Sequence, residues 1–175
     1  MQTESPVHPI PPLFDEQSEI LILGSFPSVK SREAHFFYGH PQNRFWKVLA
    51  SIFHSEIPTT IEEKKHLVLS NHLALWDVIA ECDIAGSSDS SIKNVKANNL
   101  HVILDHSKVT NIFVNGKTAE KMYKKYIEPA IGIPAEVLPS TSPANAAWSL
   151  ERLTEEWGQR INRSLQTDSP LPDHP

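Results

Sequence analysis

Three short stretches of the chain concentrate side chains able to hold a planar, hydrogen-bonding molecule. The first is Gly24-Ser25-Phe26-Pro27-Ser28, followed by a loop from Phe37 to Trp46 that carries Tyr38, His40, Gln42, Asn43 and Arg44. Phe36, Phe37 or Tyr38 can stack on a ring, and backbone N–H groups at the start of the next helix can bind an anion. Phe45 and Trp46 read as core. Asn43 reads equally as a helix cap and as a functional amide, and the two roles are compatible. The second stretch is Val114-Asn115-Gly116. An amide both donates and accepts, as the Watson–Crick edge of a nucleobase requires. Asn-Gly is also a strong turn dipeptide, and taken alone this motif favours the turn. The third stretch, Ser140 to Asn145, offers hydroxyls and an amide ahead of a helix. Phosphate oxygens bind well in such a place; capping by Ser142 is the alternative.

Other residues carry weaker signals. His101 and Asp105 stand four apart on an expected helix, a spacing that can chelate a metal but usually marks solvated surface. Asp77 ends an apolar run and reads as structural. Ser25 and Ser28 do not form the G-x-S-x-G elbow of an esterase. Gly24 lacks the companion glycines of a dinucleotide fingerprint. No metal or organic cofactor is implied.

These residues need strands and helices to position them. Glu19–Leu23, Leu73–Ile79, Asn111–Val114 and Glu136–Leu138 read as buried strands. Asn43–His54 reads as a helix whose Phe45, Val48, Leu49 and Ile52 share a face. Thr60 with Glu63 forms a capping-box pattern at another helix start. Val95–His106 and Lys117–Ile127 read as helices, and Ala85–Ser91 as a loop. A last helix carries the apolar stripe Trp148, Leu150, Leu153, Trp157, Ile161 and Leu165. Strands alternating with helices predict an α/β fold: one three-layer αβα domain around a four-stranded parallel sheet. The carboxyl ends of parallel strands lie on one edge, so the three stretches converge there. Residues 1–17, with Pro6, Pro9, Pro11 and Pro12, read as a flexible arm. Residues 18–165 form the domain and 166–175 a frayed tail.

At 175 residues with 39% hydrophobic content, the chain can bury one core. No apolar run is long enough to span a membrane, and the N-terminus lacks signal-peptide character. The single cysteine, Cys82, excludes an internal disulfide and thiolate-rich metal sites. A cytoplasmic monomer is the expectation. The net charge of −5 counts against tight DNA binding, because that affinity comes mainly from Lys and Arg on phosphates. The acids cluster at Glu62-Glu63, Glu81–Asp89, Glu151–Glu156 and the tail, which leaves room for a neutral groove.

Gly24-Ser-Phe-Pro-Ser28, followed by Tyr38-Gly-His-Pro-Gln-Asn-Arg-Phe-Trp46, resembles the uracil-DNA glycosylase superfamily, and most of all its hypoxanthine-DNA (deoxyinosine) glycosylase branch. The likeness continues through Ala74–Ile79, Gly86–Ile92, Phe113–Lys117 and Pro139–Pro143, covering about residues 18–163. It implies a monofunctional DNA glycosylase that hydrolyses the N-glycosidic bond of a deaminated base, hypoxanthine preferred, in base-excision repair. Related enzymes carry Asn or Asp where this chain has Phe26, and a phenyl ring cannot orient water. The deoxyinosine branch shares this loss, and the resemblance points to the Asn of the Gln-Asn-Arg motif, here Asn43, as the catalytic amide. It has Asn115 reading the extruded base, with Gly24, Ser25, Phe26 and Tyr38 around it. Ser140, Thr141, Ser142, Pro143 and Asn145 would pinch the DNA backbone, joined by His40 and Arg44. The implied partner is DNA containing deaminated bases. Two alternatives stay open: a uracil-preferring glycosylase, and a non-catalytic α/β module that binds nucleic acid or nucleotide.

Overall fold

The computed structural model describes residues 10–26, 31, 36–83 and 93–167. Pro27 and Ser28, the loop expected over residues 85–91, and residues 168–175 lie outside them. Ile20–Gly24 forms β1, and every residue in it is buried. Leu73–Asp77 forms β2, Asn111–Asn115 forms β5 and Glu136–Leu138 forms β6; the sheet order is β2-β1-β5-β6, all parallel. The expected central sheet is thus present. In register, Gly24 lies opposite Asp77, and Asn115 opposite Leu138. The carboxyl ends of four strands are aligned at one edge, as parallel pairing requires.

The helices are α1 (Phe45–Ile52), α2 (Ile61–Ser70), the short α3 (His101–Leu104), α4 (Lys117–Tyr126), the short α5 (Glu128–Ile131) and α6 (Leu150–Thr167). The Thr60–Glu63 capping box forms: Thr60 Oγ1 accepts from Glu63 N–H, and Glu63 Oε1 from Thr60 N–H. Leu153, Trp157 and Ile161 of α6 are fully buried. Trp157 also donates from its indole to the Pro139 carbonyl at 2.8 Å, which ties α6 to the segment after β6. Leu150, expected in that apolar stripe, is exposed. Among the described residues, no helix is long and apolar enough to cross a membrane.

Three expectations need correction. The helix expected over Val95–His106 is a strand first: Lys93–Ala97 (β4) pairs antiparallel with Ile79–Asp83 (β3), and only His101–Leu104 is helical. The stretch Asn94-Val-Lys-Ala97 alternates polar and apolar with period two, and a waiting partner strand decides the matter. Second, the strand expected to run to Ile79 leaves the parallel sheet at Val78. There Val78 N–H and Ile79 N–H donate to the carbonyls of Gly24 and Ser25, which fixes the loop after β1. Third, part of the expected arm is packed. Ile10 and Leu13 are buried, Leu13 bridges Leu75, and Trp76 donates from its indole to the Ile10 carbonyl.

This packing predicts a measurable stability contribution. Leu13→Ala should lower the unfolding free energy by about 2–3 kcal/mol, as removal of a buried leucine side chain commonly does. Urea denaturation checks this; an unchanged midpoint would show that residues 10–13 are not part of the folded unit.

Candidate active-site cleft

A cleft of about 400 Å³ opens at the carboxyl edge of the sheet. Its walls are the loop after β1 (Gly24, Ser25, Phe26), the loop before α1 (Phe37, Tyr38, His40, Asn43), the end of β2 (Asp77), the turn from β5 to α4 (Asn115 to Thr118) and the loop after β6 (Ser140 to Ala144). All three sequence stretches therefore meet.

Thr141 joins them. It is fully buried. Its Oγ1–H donates to Asn43 Oδ1 at 2.8 Å, and the same oxygen accepts from Asn115 Nδ2 at 3.0 Å. Its backbone N–H donates to Asn115 Oδ1 at 3.1 Å, and its carbonyl accepts from Arg44 N–H at 3.0 Å. Asn43 Oδ1 takes a second donor, the Phe45 N–H at 2.9 Å. A backbone N–H can only donate, so this contact identifies which end of the Asn43 amide is oxygen. Asn43 does accept the first helical N–H, but from the position before the N-cap, which is Arg44. It also turns the NH₂ end of the amide away from the capping contacts.

Arg44 is turned onto the protein. Its Nη1 donates to the Trp148 carbonyl, and its Nη2 to the carbonyls of Ser142 (2.9 Å) and Asn145 (3.0 Å). The guanidinium thus staples the loop after β6 to the start of α1, where the sequence suggested a DNA contact. The loop is braced internally as well. Asn145 Nδ2 donates to the Ser140 carbonyl, Ser140 Oγ accepts from Ser142 N–H, and Ser142 Oγ accepts from Ala144 N–H. Each serine hydroxyl keeps its proton for another acceptor. Pro143 and Ala144 are exposed at the rim. His40 is half-buried, and its Nδ1 accepts from Gln42 N–H.

The aromatic side chains divide. Phe45 and Trp46 are core, as expected, with Phe36 and Phe37 buried beside them. Phe26 is buried and faces the cleft. Tyr38 has a left-handed backbone, with φ of 53°, and one face of its ring stacks on Phe45 at 4.0 Å between centroids. That contact leaves a single face for a ligand. A bulky side chain at positive φ is uncommon and clusters at functional sites. The Tyr38 hydroxyl is buried and completes no hydrogen bond. Burial and the nearby Asp77 carboxylate push its pKa far above the usual tyrosine value, although the Asn115 amide pulls the other way.

Two glycines permit these approaches. A Cβ on Gly24 would lie 2.5 Å from Asp77 Oδ1, and one on Gly116 (φ of 94°) would lie 3.0 Å from Ser140 Cβ. Asp77, read from sequence as structural, is 5% exposed and forms part of the cleft wall. Its position at the end of a strand beside Gly24 was the available signal. Lys117 and Thr118, at the start of α4, also line the cleft and were not singled out as base or DNA contacts. His101 and Asp105 face each other at 3.3 Å on the surface, as an ordinary i,i+4 pair.

Comparisons with known proteins agree with one another. The family model for the "Uracil DNA glycosylase superfamily" matches residues 11–166. A hypoxanthine DNA glycosylase of Methanosarcina barkeri is 32% identical over 155 residues, covering 87% of this chain and 96% of the relative. Its namesake in Methanosarcina acetivorans is 35% identical over 147 residues, covering 83% and 92%. The solution NMR structure of a candidate uracil DNA glycosylase from M. acetivorans superposes with a TM-score of 0.75 at 32% identity, covering 89% of this chain and 96% of that one.

The close approach of Asp77 to β1 predicts that Gly24→Ala is destabilising. Displacing a buried carboxylate should cost about 1–3 kcal/mol, in the range of overpacked interiors. Chemical denaturation reads this directly; a variant as stable as the parent would mean that Asp77 does not lie across Gly24.

Proposed function

This chain belongs to the uracil DNA glycosylase superfamily, and on that premise we propose that its cleft takes a deaminated base extruded from DNA, with the Asn43 amide donating a hydrogen bond to that base as it departs. The activity is hydrolysis of the N-glycosidic bond of a deaminated base. Hypoxanthine is the substrate we propose as preferred, in keeping with the relatives named for it. Base-excision repair as a cytoplasmic monomer is the proposed setting.

The observation that carries the role of Asn43 is the filling of its carbonyl oxygen. Thr141 Oγ1–H and Phe45 N–H occupy both lone pairs of Oδ1. Asn43 is therefore poor at accepting a bond from water and well set to donate through Nδ2. In the reaction the C1′–N bond breaks with its electron pair leaving on the base, and the sugar becomes oxocarbenium-like. Water then adds at C1′ and loses a proton to solvent, giving an abasic site and free base. Negative charge grows on the base in this step, so a fixed donor stabilises the transition state more than the ground state. Phe26 cannot orient the water, which places more of the catalysis on the leaving group.

Asn115 keeps one Nδ2 proton after bonding to Thr141, and this proton is assigned to a carbonyl oxygen of the base. The Ser140 and Ser142 hydroxyls, on the braced loop, are assigned to phosphate oxygens. Lys117 lines the cleft at the start of α4; the proposed reaction uses no amine nucleophile, and the enzyme is proposed to be monofunctional.

The test uses variants in single-turnover excision from hypoxanthine-containing duplex. Asn43→Ala should slow excision by about a hundredfold to a thousandfold, the usual effect of losing one such donor, while affinity for abasic duplex changes less than about threefold. Full activity in Asn43→Ala would overturn the assignment. Thr141→Val, which cannot hold the Asn43 amide, should lose about tenfold or more. Thr141→Ser should restore most of it. Equal rates for the valine and serine variants would rule out the hydroxyl as the positioning group.

A further inference from the structure

Deamination changes two neighbouring positions on a base. The exocyclic amine becomes a carbonyl oxygen, and the adjacent ring nitrogen of adenine or cytosine gains a proton. An amine-bearing parent base therefore presents a lone pair where hypoxanthine or uracil presents an N–H. A site that separates the two needs a hydrogen-bond acceptor at that ring nitrogen.

Several side-chain acceptors in the cleft are already engaged. Asn43 Oδ1 already takes two donors, and Asn115 Oδ1 takes the Thr141 N–H. Ser140 Oγ and Ser142 Oγ each accept from the backbone. Among the described residues lining the cleft, Asp77 is the single carboxylate. Its two oxygens carry about four lone-pair sites, more than a single protein partner fills. It stands at the end of β2, opposite Gly24 in register, with Oδ1 2.5 Å from where a Gly24 Cβ would be. The missing Cβ is what lets the carboxylate lie over β1. It is 5% exposed and lines the cleft. The Tyr38 hydroxyl lies 3.3 Å from the same point, buried and making no hydrogen bond.

We propose that Asp77 accepts the ring N–H that deamination creates, and is thereby the residue that separates a deaminated base from its amine-bearing parent. The inference rests on the glycosylase reading above and adds a base-reading residue to it. A carboxylate–N–H bond is charge-assisted and stronger than a neutral one. Adenine or cytosine would set a ring lone pair against the carboxylate, so that the two acceptors repel where a bond should form. Polar sites reject mismatched analogues strongly for this reason. The Tyr38 hydroxyl, held protonated, is the donor next to that carboxylate and steadies it when the cleft is filled.

The test compares wild type, Asp77→Ala and Asp77→Asn on duplexes carrying hypoxanthine or 1-methylhypoxanthine, which lacks the ring N–H. Melting temperature and binding to abasic duplex are measured alongside. Wild type should prefer hypoxanthine by about a hundredfold or more, in the range of hydrogen-bonded discrimination. Asp77→Ala should excise hypoxanthine at least about tenfold more slowly and treat the two bases alike within about threefold, because both the acceptor and its bulk are gone. Asp77→Asn keeps the shape and should also lose about tenfold on hypoxanthine while melting near wild type and binding abasic duplex normally. A structural role would not move the ratio between the two bases. The proposal is overturned if Asp77→Ala keeps the wild-type ratio, if Asp77→Asn excises hypoxanthine at the wild-type rate, or if neither variant folds. A wild type inactive on hypoxanthine would overturn the glycosylase reading itself, a distinct result.

Discussion

The site depends on one buried hydroxyl. Thr141 is a donor to one amide, an acceptor from another, and through its backbone a partner to both Asn115 and Arg44. Those contacts tie the loop after β6 to the end of β5 and to the start of α1, segments far apart in sequence. A buried polar group left without partners is costly, so each member of the network holds the others in place. The Arg44 staple acts in the same direction by gathering carbonyls of the loop after β6 under one guanidinium. A loop held this way can offer hydroxyls to a ligand with little entropy left to lose.

This arrangement also explains how a chain with Phe26 at the loop after β1 can still be an enzyme. Catalysis of N-glycosidic cleavage can act on the attacking water or on the departing base. Phe26 gives nothing to the first. Thr141 and Phe45 saturate the Asn43 carbonyl, and in the proposed reaction that amide therefore serves the second. The two walls differ in chemistry, with amide donors on the α1 and β5 side and a carboxylate and a phenol at the junction of β1 and β2. A net charge of −5 is compatible with DNA as partner, since the groups assigned to the backbone are serine hydroxyls.

Much of the fold was legible because parallel strands announce themselves as short apolar runs. Ile20–Gly24 and Leu73–Asp77 are of that kind, and their pairing followed from the alternation with helices. The β3–β4 pair was not legible. Its strands are short and polar, and the antiparallel pairing of Lys93–Ala97 depends on a partner that no local pattern reveals. The packing of Ile10 and Leu13 was hidden for the converse reason, since prolines there suggested a free arm while tertiary contact decided otherwise. Within the site, residue types and strand ends brought Asn43, Asn115 and the serine loop to attention. Which atom of each amide is occupied was beyond the sequence, because that depends on Thr141 reaching both from a third loop. Arg44 and Asp77 show the same limit. One charged residue near the cleft turned inward as a staple, and the other, read as structural, stands in the wall.

The most direct measurement of the central claim is single-turnover cleavage by the wild-type protein. Duplex and single-stranded oligonucleotides would carry hypoxanthine, uracil, xanthine or adenine at one position, with abasic sites revealed by alkali. Abasic sites are expected at deaminated bases, fastest at hypoxanthine, with adenine left intact. Binding to these oligonucleotides without formation of any abasic site would contradict a glycosylase.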